Sequence, residues 1–248
     1  MVMIPTPPKT ESEIGPRYLD KSALETPSLA IANAVRETLR MGDVVEQMLQ
    51  RFIEVLNGNK DQRREINHLE EEVDMLHSSI KLYLAQLQQN ELSEDDSRRW
   101  AEIIDTALNL QQSATIIHRM TSEMIKKSLD NRCSFSPNGF KELNTLMERL
   151  QHNLSLGMSV FVSGDLDNAR RLRRAKHRFR LLNQRYAYSH VERLHEQNMQ
   201  SLDTSNLHVS LLGDMKRLNS LFSAVAYHAL EGIADQRAEQ MNIDHEKK

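Results

Sequence analysis

Cysteine, proline, aromatic residues and long apolar runs are all scarce in this chain, and each scarcity removes a class of protein. The single cysteine, Cys133, excludes an internal disulfide and fits a reducing compartment. Aromatics at 5% leave few rings for the core of a β-sandwich or barrel. No stretch of 18 apolar residues occurs, so no membrane span is expected, and no segment resembles a signal peptide. The 35 acidic and 32 basic side chains nearly cancel, which excludes the one-signed field of a generic nucleic-acid binder.

Proline is absent where it matters most. The six prolines are Pro5, Pro7, Pro8, Pro16, Pro27 and Pro137, leaving residues 28–136 and 138–248 without one. Proline inside a helix removes a hydrogen bond and clashes with the preceding turn. Two long proline-free segments split at one point therefore predict two helical blocks. With 39% apolar and 27% charged residues over 248 positions, the chain can bury a sizeable core beneath amphipathic helices.

Local signals place the helices. Thr26-Pro27 reads as an N-cap followed by proline at the first helical position. The first stripe runs Leu29, Ala32, Val35, Leu39, Val45, Leu49, Phe52 and Leu56, then stops at Asn57-Gly58-Asn59. The second runs Ile66, Leu69, Val73, Leu76, Ile80, Tyr83 and Leu87, ending at Gln88-Gln89-Asn90. Ser93 and Asp96 have capping-box spacing and start the third, which carries Trp100, Ile103, Ala107, Leu110, Ala114, Ile117, Met120 and Met124.

Ser136-Pro137 opens the second block. Its helices carry Phe140 to Phe161, then Ala169 to Leu194 after the turn Ser163-Gly164-Asp165, then Leu207 to Val225 after the cap Asp203-Thr204-Ser205. Intervals of three and four keep each stripe on one face, and short turns favour antiparallel neighbours. The expected organisation is a linker over 1–25, a three-helix unit over 26–130, a linker over 131–137, a second unit over 138–232 and a polar tail over 233–248.

Chemistry is sparse. Glu70, Asp74 and His77 at i, i+4 and i+7 share one helix face and could supply oxygen and nitrogen ligands to a metal. Acids are also common on a solvated face, as Glu71 and Glu72 beside them illustrate. No HExxH, P-loop, dinucleotide fingerprint or nucleophile elbow occurs, and no enzyme is expected. Gly157, Gly164 and Gly213 stand alone and read as close packing or turns. His190, Arg193 and His195 form a dense polar stretch, either an anion contact or a buried clamp between helices.

The strongest charge feature is Arg170, Arg171, Arg173, Arg174, Lys176, Arg178, Arg180 and Arg185, with no Asp or Glu between positions 168 and 191. Such a strip can meet phosphate, acidic headgroups or an acidic protein surface. It could also pair with Glu65, Glu70, Glu71, Glu72 and Asp74, or with Glu91, Glu94, Asp95 and Asp96, within the bundle or across a homodimer. The candidate anion or partner contacts are Arg171, Arg174, Lys176, Arg180, His190, Arg193 and Arg217.

An ordered set of residues carries a family resemblance: Tyr18-Leu19-Asp20, Thr26 to Ala30, Val35-Arg36-Glu37, Val73-Asp74 with Leu76, and Ile80-Lys81 with Tyr83-Leu84. It continues with Lys176, Phe179-Arg180, His190, Arg193-Leu194, Leu207-His208, Leu211-Leu212, Asp214, Lys216 to Asn219, and Ala226-Tyr227. Over about residues 18–230 the chain resembles the PhoU-like cytosolic domain of bacterial sodium/phosphate cotransporter-related proteins.

The resemblance implies an all-α fold of two tandem three-helix bundles with long antiparallel helices. It also implies a regulatory role in phosphate transport or signalling, in the cytoplasm at the inner face of the cell membrane. The partners it implies are a transporter's membrane domain or a phosphate-signalling protein. Some members of this family hold iron or zinc clusters on acidic helix motifs, and Glu70 with Asp74 resembles one acidic pair. The companion motif falls on Gln111-Gln112-Ser113-Ala114-Thr115 and, in the second unit, on Lys216-Arg217-Leu218-Asn219-Ser220, both without the usual carboxylates. No cofactor is expected; a divalent metal or iron is the alternative that the resemblance offers.

Overall fold

A computed structural model describes residues 15–87, 92–129, 135–195 and 204–230. The expected turn at Gln88-Gln89-Asn90, Cys133 with most of the 131–137 linker, Asp203, and the tail over 233–248 lie outside the described residues. Among the described residues there are six long α-helices, a short helical stretch over 225–230 and no strand. The long helices are α1 (Pro27–Leu56), α2 (Arg63–Leu84), α3 (Glu94–Leu129), α4 (Pro137–Ser163), α5 (Leu166–His195) and α6 (Ser205–Phe222). Helices α1, α2 and α3 pack on one another, as do α4, α5 and α6, giving the two three-helix units.

The helix ends follow the local chemistry. Ser93 Oγ accepts the Asp96 N–H at 3.1 Å and donates to the Asp96 carboxylate at 2.8 Å, closing the cap of α3. The Gly139 N–H reaches Ser136 Oγ at 3.3 Å, so α4 starts as expected with Pro137 at its first position. Gly164 ends α4 in the left-handed region at φ 61°, where a side chain would be strained. Asp165 then accepts the Asn168 N–H at 2.7 Å and begins α5. Thr26 differs from expectation: its backbone, without a side-chain bond, caps α1.

The stripes of α2 to α6 bury largely as expected, but α1 begins one register away. Leu29 and Ala32 face solvent, whereas Ala30, Ile31, Ala34, Glu37, Thr38 and Met41 line the core. The reason is Glu37, a carboxylate without solvent exposure. Its Oε2 accepts the backbone N–H groups of Arg17 and Tyr18 at 2.8 and 2.7 Å, and its Oε1 meets Arg40 Nε at 2.7 Å. Arg40 continues to Glu72 and to the Gly15 carbonyl, each at 2.6 Å. A buried charge survives only when paired and hydrogen-bonded, and this network fastens residues 15–25 across α1 and α2. Arg36 over the Tyr18 ring and Tyr83 donating to the Asp20 carbonyl at 2.7 Å complete the attachment.

The two units join along α1–α4 and α3–α6. On the second seam Asp105 meets His228, Arg119 meets Asp214, and Glu123 accepts a bond from Ser210. Rising numbers on α3 face falling numbers on the other side, so the helical segments of this seam run antiparallel. Arg99 of α3 donates to the Phe161 carbonyl at 2.7 Å while its guanidinium lies 4.4 Å from the Phe161 ring, tying α3 to the end of α4.

Close approach of backbones sets two glycines apart. A Cβ at Gly157 would stand 2.5 Å from the Phe222 carbonyl oxygen, an unyielding backbone atom where α4 crosses α6. A Cβ at Gly42 would stand 2.6 Å from Met158 Sδ, which sits on a flexible side chain. G157A is therefore expected to lower stability by about 1–3 kcal/mol, and G42A by clearly less, as read by urea unfolding.

Candidate functional site: the basic face over α6

Helix α5 must place its cations outward because Ala169, Leu172, Ala175, Phe179 and Asn183 take the inward positions. Arg171, Arg173, Arg174, Arg178, Arg180 and Arg185 are all exposed. Apart from Arg170 on its neighbour Asp167 and Arg193 on Glu142, no ion pair engages the cations of α5 among the described residues. Pairing of these cations inside the bundle with Glu65, Glu70, Glu71, Glu72, Asp74, Glu94, Asp95 or Asp96, one of the alternatives, does not form; Glu91 lies outside the described residues. Leu181, Tyr188 and Val191 are also exposed on this helix, at 49%, 65% and 48%.

Helix α6 buries Leu207, Leu211, Met215, Leu218 and Phe222, so Gly213, Lys216, Arg217 and Ser220 form its outer ridge. A Cβ on Gly213 would meet open space, so this glycine marks neither a turn nor close packing. The ridge divides two grooves. One, of about 800 Å³, runs between α3 and α6 and is walled by Gln111, Gln112, Thr115, Arg119, Lys216 and Arg217. The other, of about 250 Å³, lies between α5 and α6 beside Arg173, Lys176, His177, Arg180, Lys216 and Asn219. Lys216 and Ser220 line both, and neither groove has a carboxylate in its wall.

The floor beneath is fixed by buried amides. Asn219 Oδ1 accepts from Asn153 of α4 at 2.8 Å, and Asn219 Nδ2 donates to the Lys176 carbonyl of α5 at 3.3 Å. Asn183 of α5 donates to the Leu212 carbonyl at 2.9 Å. Lys176 Nζ rests 4.6 Å from the Tyr227 ring centroid, an aromatic face that attracts its charge.

Of the seven proposed contact residues, Lys176, Arg180 and Arg217 share this face, and Arg171 and Arg174 are exposed on α5. His190 and Arg193 lie elsewhere, in a buried clamp. Arg193 makes a two-pronged bond to Glu142 at 2.9 and 2.7 Å, with both side chains about nine-tenths buried. The His190 ring stacks on His208 at 4.4 Å, and its Nε2 lies 3.1 Å from Ser205 Oγ. Burial, with His190 and Arg193 nearby, pushes the His208 imidazole down to about 3, and His190 is lowered by burial and by Arg193. A neutral His208 at 3.8 Å from Glu142 is no ion pair, although the distance alone invites that reading.

Glu70, Asp74 and His77 share one face of α2, but their contacts diverge. Glu70 lies 3.0 Å from His118 Nδ1 of α3, and burial raises its carboxyl above the usual range, partly offset by His118. Asp74 accepts from Gln111 at 2.9 Å. Burial, followed by Lys81, lowers His77. Among the described residues no three His, Cys, Asp or Glu side chains converge to hold a metal ion. Positions where the resemblance leads one to look for further carboxylates, Gln111, Thr115, Lys216 and Ser220, are instead walls of the larger groove.

Residues 38–124 match the family model of the PhoU domain. Over that stretch the chain is similar to the PhoU domain. It is 55% identical over 224 residues to YjbB of Escherichia coli strain K12 and 54% identical to YjbB of Salmonella typhimurium, proteins named for inorganic phosphate export. Each match takes in 90% of this chain but 41% of the relative, so the chain spans under half the relatives' length. Its fold is similar to the crystal structure of PhoU from Pseudomonas aeruginosa, at TM-score 0.70 and 14% identity, over 82% of this chain and 98% of that one. The phosphate transport system regulatory protein PhoU from Streptococcus pneumoniae gives 0.73 and 12%, over 83% and 95%. These two likenesses carry the PhoU fold across both halves of the chain, beyond the part matched by the family model.

Arg119 and Lys216 stand outside the basic strip of α5 to which Arg173 belongs, so no charge run in the sequence marks them. The available signal was the i, i+3, i+4, i+7 spacing of Gly213, Lys216, Arg217 and Ser220 on one helix face. For the clamp, the folded chain keeps His208 neutral while the unfolded chain protonates it near pH 6.5. Stability is thus expected to fall on acidification through that value, by roughly 2 kcal/mol from about pH 7 to pH 5 for this group. In urea unfolding at both pH values, H208Q should show a smaller loss than the parent chain.

Proposed function

We propose that this chain is a non-enzymatic regulatory domain of phosphate transport, acting at the cytosolic face of a transporter through helix-face contacts. The observation that carries the reading is the 55% identity, over nine-tenths of the chain, to proteins named for inorganic phosphate export. The PhoU fold supports it, since one solved relative of that fold is named a phosphate transport system regulatory protein. Among the described residues no helix is long and apolar enough to cross a membrane, so the described part supplies contacts, not a transmembrane path.

The contact surface is read from charge. Arg171 and Arg174 stand exposed without an acidic partner, on the same helix as the exposed Leu181 and Tyr188. A surface that mixes uncompensated cations with apolar side chains fits the membrane part of a transporter, or a phosphate-signalling protein with an acidic face. The acids at Glu94 and Asp95, 82% and 93% exposed, favour a second reading in which they meet the basic helix of another copy.

Two measurements separate these. Phosphate efflux is compared in cells carrying the transporter's membrane part with and without this domain, and co-purification of the two parts is followed as salt rises. The regulatory reading expects altered efflux and a salt-sensitive complex weakened by R171E/R174E. Unchanged efflux and no complex, alongside self-association abolished by the same variant, would replace it with the second reading.

A further inference from the structure

We propose that the two grooves flanking the α6 ridge form one binding site for a phosphate-bearing polyanion, with Lys216 at its centre. Six cations line the paired grooves: Arg119, Arg173, Lys176, Arg180, Lys216 and Arg217. Arg119 is engaged by Asp214, and Lys176 by the Tyr227 ring. Arg173, Arg180, Lys216 and Arg217 have no carboxylate partner among the described residues, although the whole chain carries more acids than bases. Like charges held close repel unless an anion lies between them.

Rigidity separates this site from an ordinary solvated strip. Lys216 and Arg217 sit on a helix locked by Asn219 to both α4 and α5, and at Gly157 the same helix touches the backbone of α4. The backbone that carries Lys216 and Arg217 is therefore fixed before any ligand arrives, so only side chains remain to be ordered on binding. The walls add hydroxyl and amide groups from Thr115, Ser220, Gln112 and Asn219. Guanidinium, ammonium and hydroxyl donors together match phosphoryl oxygens.

Extent selects the ligand class. Free cations stand on both sides of Lys216, with Arg173 and Arg180 in one groove and Arg217 facing the other. Orthophosphate, with one phosphorus and at most three negative charges, compensates fewer of these cations than a chain of phosphoryl groups does. A chain of phosphoryl groups, free or on a lipid headgroup, can lie across the ridge and engage both sides.

The inference deepens the regulatory reading and rests on it for its biological role, yet its test is separate. Binding of inorganic tripolyphosphate, orthophosphate and vesicles carrying phosphatidylinositol 4,5-bisphosphate, a headgroup with three phosphoryl groups, to the full 248-residue chain is measured by calorimetry and co-sedimentation. The expected result is tripolyphosphate bound more tightly than orthophosphate, and weakened about tenfold or more by K216A/R217A. R178A/R185A, which removes cations from the opposite flank of α5, should leave it unchanged. Thermal melting checks that both variants remain folded, as the exposure of all four residues predicts. Vesicle binding sensitive to K216A/R217A without tripolyphosphate binding would assign the site to lipid headgroups. No binding of either, or equal loss in both variants, would overturn the inference. Binding that K216A/R217A abolishes while efflux stays unchanged would instead count against the regulatory reading alone.

Discussion

Helix α6 has neighbours on three sides, and the rest of the molecule is arranged around that confinement. It packs against α4 and α5 within its own unit and against α3 of the other. Only one ridge remains for solvent, and Gly213, Lys216, Arg217 and Ser220 occupy it. The inward positions are apolar except for those carrying a specific bond. Asn219 ties three helices, and Asp214 receives Arg119 from across the seam. The glycine at 157 is the counterpart of this crowding, because the Phe222 carbonyl occupies the space of a side chain.

Confinement also sorts the charges. Those drawn inside are matched to a partner: Glu37 with Arg40, Glu142 with Arg193, Asp214 with Arg119. Such pairs hold chosen segments together, since removing either member strands a charge in a medium that cannot solvate it. Charges left outside pair at most with a near neighbour on the same helix, as Arg98 does with Glu94 and Arg170 with Asp167, and they segregate. Acids gather at the start of α3, while cations line α5 and the ridge of α6. A chain near neutrality as a whole thus carries a strongly one-signed face, and overall composition conceals it.

Much of the fold is legible in the sequence because its signals are local. Pro27, Ser136-Pro137 and Gly164 mark helix ends through backbone chemistry that depends on adjacent residues alone, and the structure places them there. The stripes from Ile66 onward are apolar enough to reveal their buried face. At the start of α1 that logic fails: Glu37 and Thr38 sit on the inner face and cancel its periodicity, so Leu29 and Ala32 seem to mark it. The partners that make a buried Glu37 tolerable come from Arg17, Tyr18 and Arg40, and no spacing rule anticipates them. The candidate site divides in the same way. Basic character on α5 is visible as an uninterrupted run, whereas the grooves depend on how α6 lies against α3 and α5, which only packing decides. His190 and Arg193 illustrate the converse. Their polarity draws notice in the sequence, yet it is turned inward: His190 bonds Ser205 and stacks on His208, and Arg193 bonds Glu142.

The central claim is that the two units form one cooperative body that holds α6 between them. Native-state hydrogen exchange across α6 and α1 tests it most directly, as a function of denaturant. The slowest amides of α6 and of α1 should open with the same free energy and the same denaturant dependence. Amides of α6 opening in a smaller, separate transition while α1 stays protected would contradict it.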